Sequence, residues 1–134
     1  MNDCIFCKII KGEIPSYKIY EDEHTYAFLD IAKDCYGHTL VIPKNHAKNL
    51  FEINDEDLTR TILATKKIAN HYKTLGFSGV NIINACGESA EQSVFHLHFH
   101  IIPRKEDDGM HIFPNLEKKD YDLEKIAEIL KIKE

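Results

Sequence analysis

Three histidines alternate with apolar residues in the run Val94-Phe95-His96-Leu97-His98-Phe99-His100-Ile101-Ile102. Side chains on a strand point to alternate faces, which predicts His96, His98 and His100 on one face at steps of about 7 Å, with Phe95, Leu97, Phe99 and Ile101 entering the core. Imidazole is neutral and nucleophilic near pH 7. A positioned one can attack phosphorus without a separate base and form a phosphoramidate that water later cleaves. The central histidine, His98, is therefore the expected nucleophile. Its neighbours on the same face can donate hydrogen bonds to phosphoryl oxygens, where a loose transition state gathers charge. The chain has no Walker loop and no Gly-x-Gly-x-x-Gly, so a glycine cradle is not the expected phosphate site. Cys4-x-x-Cys7 is a second pattern with metal-ligand spacing, weak when taken alone.

The elements that must carry these residues can be read from periodicity. Asp3 is the expected cap of a short N-terminal helix in which Ile5, Phe6, Ile9 and Ile10 recur at helical spacing, with Gly12 as the stop. Tyr17 to Tyr20, Thr25 to Ile31 and Thr39 to Ile42 read as strands. Pro43 marks a strand end or a sheet edge because it has no N–H to give to a ladder. From Asn54 the period becomes helical, with Leu58, Ile62, Ala69, Tyr72 and Leu75 on one face and Gly76 as terminator. Gly79 to Cys86 and Val94 to Pro103 read as the last strands, and a terminal helix capped near Asp122 carries Leu123, Ile126, Ala127 and Leu130. The expected fold class is α+β: a five-stranded antiparallel sheet, a main helix and short terminal helices.

Length and charge bound the rest. A chain of 134 residues fits one domain over 1–134, with 105–134 as a C-terminal tail and helix. No apolar run reaches the roughly 18 residues of a membrane helix. Met1-Asn2-Asp3-Cys4 lacks the basic and apolar regions of a secretory signal, so a cytoplasmic location with reduced cysteines is expected. Seventeen basic against twenty-two acidic residues, with no Lys/Arg cluster, argue against a nucleic-acid polymer as partner and leave room for a small anionic ligand at one site. Cys35, Cys86, His24, His38 and His71 read as packing or surface residues, and His111 lies in a segment, Gly109 to Pro114, that could border the site.

His-Leu-His-Phe-His-Ile-Ile resembles the signature of the histidine triad (HIT) family, His-φ-His-φ-His-φ-φ with φ apolar. Cys4 to Ile10, Glu13-Ile14-Pro15, Ala27 to Ile31, Gly37 to Lys44 and Gln92-Ser93-Val94 resemble its Hint-like branch, so the likeness runs through Arg104. The resemblance implies a nucleotide hydrolase in which His98 attacks the α-phosphate of a nucleoside phosphoramidate or related purine nucleotide and passes through a nucleotidyl-histidine. It also implies His100 on the phosphate and Ser93 assisting the leaving group. Asn84 and Gln92 would be further polar contacts on the phosphate side. Asp30 would accept the ribose hydroxyls, and Ile5, Phe6, Ile9, Phe28 and Ile31 would flank the base. Cys4, Cys7, His46 and His96 would hold a structural zinc, and the assembly would be a homodimer. The alternatives are a dinucleoside polyphosphate hydrolase and a nucleotide-binding regulatory module with incidental turnover.

Overall fold

The computed structural model describes residues 3–133. The first helix, α1 (Ile5–Ile10), turns Phe6 and Ile9 inward. Its cap is Cys4, whose Sγ accepts from Cys7 N–H at 3.3 Å, and not the expected Asp3. Four strands follow the expected positions to within a few residues: β1 (Lys18–Glu21), β2 (Thr25–Leu29), β3 (Thr39–Pro43) and β4 (Gly79–Ile83). With β5 (Phe99–Arg104) they form one antiparallel sheet in the order β1-β2-β3-β5-β4. Pro43 closes β3 opposite Thr25, so it marks a strand end in the middle of the sheet and not an edge. The five-stranded antiparallel sheet and main helix expected from the sequence are both present.

The main helix, α2 (Asp55–Thr74), begins where Asn54 accepts from Asp57 N–H at 2.8 Å and stops before Gly76. Its buried face differs from the expected one. Asp57, Thr61, Ala64, Thr65, Ile68 and Tyr72 face the sheet, whereas Ile62 and Leu75 are exposed. The reason is that Thr61 and Thr65 donate their hydroxyls to the carbonyls of Asp57 and Thr61, at 2.7 and 2.9 Å, which removes the cost of burying them. Small side chains then let the helix lie close to Ala27, Val41 and Ile101 on one face of the sheet. The opposite face packs Tyr26, Phe28, Leu40 and Ile42 against Phe6 and Ile9 of α1.

The largest departure from the sequence reading concerns the last strand. Residues 94–98 run beside the loop that follows β3 and stay off the ladder, because Leu97 N–H donates to Ala47 O at 2.8 Å and His96 Nε2 to Pro43 O at 2.8 Å. Phe95 is correspondingly exposed, against expectation, while Leu97, Phe99 and Ile101 are buried. The chain after Arg104 is pinned by that guanidinium to Asp108 and to Met110 O. The last helix, α3 (Leu123–Leu130), is capped by Asp122 as expected.

Candidate functional site

His100 stands in β5 opposite Leu40 and Ile83, on the α1 face of the sheet, and His98 lies just ahead of it, the two rings 4.9 Å apart. The His98 Nδ1–H donates to the carbonyl of His96 at 2.8 Å. That bond fixes the tautomer and leaves the lone pair on Nε2. Burial lowers the His98 pKa below its ordinary value, the His96 carbonyl opposing this, so the ring is a neutral nucleophile at neutral pH. Phe6 meets it edge-on at 5.2 Å, and the Asn84 amide donates to the His98 carbonyl at 2.9 Å, fixing the backbone beneath the ring.

His100 is tied to a residue that sequence reasoning assigned to packing or the surface. Its Nδ1 lies 2.9 Å from His38 Nε2, and His38 Nδ1 lies 2.8 Å from the Asp34 carboxylate. Asp30 stands 3.7 Å from the same His38 Nε2 and also accepts from Ala32 N–H at 2.8 Å. Burial, with His98 and His38 close by, pushes His100 down to about 4. His38 is positioned by Gly37, whose φ of +80° is strained for residues with a Cβ, and a Cβ there would lie 3.0 Å from Pro103 Cγ. Alternation along β3 was the available signal: His38 precedes Thr39 and shares a face with Leu40, the partner of His100.

His96 turns away from the other two histidines. Its Nε2–H donates to Pro43 O, so the Nδ1 lone pair faces Cys4 Sγ at 3.3 Å and Cys7 Sγ at 3.6 Å. His46 Nδ1 lies 3.5 Å from Cys7 Sγ, and the four donor atoms all fall within 4.8 Å of one another. A tetrahedral site with metal–sulfur bonds of about 2.3 Å and metal–nitrogen bonds of about 2.0 Å spaces its ligands roughly 3.3–3.8 Å apart, so the donor set fits. Burial and the adjacent Cys4 raise the Cys7 thiol to about 11, a preference that a bound cation would reverse.

The other expected site residues divide. Gln92 is buried with its whole amide in use: it accepts from Asn49 Nδ2 and Gly87 N–H and donates to Lys48 O and Val94 O. It braces the loop before the triad. Ser93 is exposed in a cleft lined by Cys4, Ile5, His46, Val94 and Phe95, a lining that does not include His98. Phe6, Ile9 and Phe28 are buried in the core, whereas Ile5 and Ile31 are exposed. A cavity of about 820 Å³, lined by Ile19, Tyr36, Tyr72, Phe77 and Pro103 among others, contains none of the triad.

A profile of the HIT domain matches residues 11–107. The chain belongs to the HIT family. It is 49% identical over 128 residues to an uncharacterized HIT-like protein of Methanocaldococcus jannaschii, covering 96% of this chain and 98% of the relative. It is 45% identical over 104 residues to an adenosine 5′-monophosphoramidase of Saccharomyces cerevisiae, covering 78% of this chain and 64% of that enzyme. A crystal structure of a Zn-bound histidine triad family protein from Mycobacterium smegmatis matches with a TM-score of 0.79 at 35% identity, over 96% of this chain and 91% of that one.

Proposed function

We propose that this HIT protein hydrolyses purine nucleoside phosphoramidates through a nucleotidyl-His98 intermediate. The observation that carries the reading is the bond from His98 Nδ1–H to the His96 carbonyl, which leaves a neutral Nε2 lone pair beside His100. In the first step that lone pair attacks the α-phosphorus, a P–N bond to His98 forms, and the bond to the leaving amine breaks as the amine takes up a proton. Ser93 is the group assigned to relay that proton. Water then attacks phosphorus, the bond to His98 breaks, and the nucleoside monophosphate leaves. His100 contacts the phosphoryl oxygens, Asp30 takes the ribose hydroxyls, Asn84 adds a polar contact on the phosphate side, and the exposed Ile5 and Ile31 flank the base in front of Phe6, Ile9 and Phe28. The adenosine 5′-monophosphoramidase activity of the yeast relative supports this substrate class.

Cys4, Cys7, His46 and His96 are assigned as the ligands of a zinc ion, a reading supported by their donor spacing and by the Zn-bound mycobacterial neighbour. A closed set of two thiolates and two imidazoles supplies a structural cross-link with no open position.

Rapid quench with phosphorus-labelled adenosine phosphoramidate tests the nucleophile. Label should remain on wild-type protein at His98, and His98→Ala should lose the adduct and at least about a thousandfold in turnover while still binding AMP. Turnover by His98→Ala close to wild type overturns the assignment. A higher kcat/KM for diadenosine tetraphosphate than for the phosphoramidate would favour the dinucleotide hydrolase instead.

A further inference from the structure

We infer that Asp34 is a positioning residue for the phosphate contact: through His38 it sets which nitrogen of His100 carries the proton, so that binding an anion at His100 takes up one proton. The inference rests on the proposed reading of His100 as a phosphate contact, and its tautomer logic is independent of substrate.

A carboxylate only accepts, so Asp34 requires His38 to carry a proton on Nδ1. With His38 neutral, its Nε2 is then a bare acceptor. His100 must donate Nδ1–H into it across 2.9 Å, which leaves a lone pair on His100 Nε2, and that lone pair repels a phosphoryl oxygen. One added proton reverses the relay. His38 then carries both N–H groups, donates Nε2–H to His100 Nδ1, and leaves a neutral His100 with Nε2–H to offer. Among the described residues no protein group bonds to His100 Nε2. The extra charge stays on His38, between Asp34 at 2.8 Å and Asp30 at 3.7 Å.

The groups that face this pair are Asp30 from the end of β2, Asp34 and Cys35 from the loop before β3, and His98 from the segment leading into β5. The added charge is placed on His38 because both carboxylates stand against that ring, Asp34 at Nδ1 and Asp30 near Nε2. The Asp34 side chain is 57% exposed, so its influence is local, passing through one charge-assisted bond, and its size is limited by solvent.

The sign follows. Asp34 stabilises the protonated pair, so anion affinity is fully present below the midpoint of that titration and falls, by at most tenfold per pH unit, above it. Asp34→Asn keeps an acceptor for His38 Nδ1–H and removes the charge, so the midpoint moves to lower pH.

Two measurements on zinc-loaded protein test this. In histidine nitrogen NMR of the free protein, His38 should carry Nδ1–H throughout, and His100 should pass from Nδ1–H to Nε2–H as pH falls. The midpoint of that switch should drop by about half a unit to one unit in Asp34→Asn. Adenosine 5′-sulfate, whose sulfate remains a monoanion over the range, is the binding probe for calorimetry between pH 5.5 and 8.5 in buffers of different ionisation enthalpy. Wild type should take up close to one proton above the midpoint, and Asp34→Asn should bind about three- to tenfold more weakly at high pH and equally well at low pH. His100 Nε2–H at high pH in the free protein, or identical midpoints for wild type and Asp34→Asn, overturns the inference. A normal tautomer switch with no binding of the probe instead sinks the nucleotide reading and leaves the relay standing.

Discussion

Gly37 shows how much of the site rests on a residue without a side chain. Its φ of +80° strains any residue with a Cβ, the 3.0 Å approach of Pro103 Cγ to a built Cβ forces that ring to give way, and the next residue is His38. Gly37→Ala should therefore cost about 1–3 kcal/mol in chemical denaturation, through backbone strain and the clash. It should also reduce kcat/KM by displacing His38 from His100; a variant of wild-type stability would contradict the strain argument. The pairing of His98 with His100 was legible because alternation with apolar residues is a local pattern, whereas the turn of His96 toward Pro43 and the cysteines was not. His38 was not: its partners Asp30 and His100 meet it only when β2, β3 and β5 are assembled. The bonds of Gln92 were hidden for a related reason. Its side chain looks available for ligand in the sequence, but the loop closes on all of its amide atoms.

At the scale of elements, the starts of α2 and α3 were legible because caps are local, and Asn54 and Asp122 act where the sequence places them, whereas α1 is capped by Cys4 and not by Asp3. The helix face of α2 was not, since threonines that bond back to the preceding turn bury without an apolar signal. The start of β5 was missed because a tertiary contact with the loop after β3 competes with the ladder for residues 94–98. That segment and α1 meet at the cysteine–histidine cluster. Helix α1 has six residues, too few to be stable alone, so its attachment depends on Phe6 and Ile9 packing and on this cluster. Purified protein should contain about one zinc per chain by elemental analysis. Replacing both Cys4 and Cys7 by serine should remove it, lower Tm and speed amide exchange in 4–10 and 94–98. Metal-free protein with unchanged Tm and exchange would refute a structural zinc.

For the whole molecule, the open question is what covers the end of the sheet. Strand β4 is the last in the order, its outer edge has no strand partner among the described residues, and Ile82 and Ile83 are partly exposed there. On α2, Ile62 and Leu63 are exposed as well, and Ile62 is one of the residues that the sequence periodicity of that helix assigned to the core face. An uncovered edge is a pairing hazard, and symmetric self-association is a common way to cover one. We therefore expect the homodimer that the HIT resemblance implies, joined through the main helix and a strand edge. A stable interface of this kind buries roughly 1,200–2,000 Å² in total, so the exposed apolar residues of α2 should be among those that carry it. Light scattering across micromolar concentrations should give twice the 15.5 kDa chain mass, and Leu63→Glu should shift the population towards the single-chain mass by placing a charge in the buried patch. A particle of 15.5 kDa at every concentration would rule the dimer out, while a dimer untouched by Leu63→Glu would place the interface elsewhere on the surface.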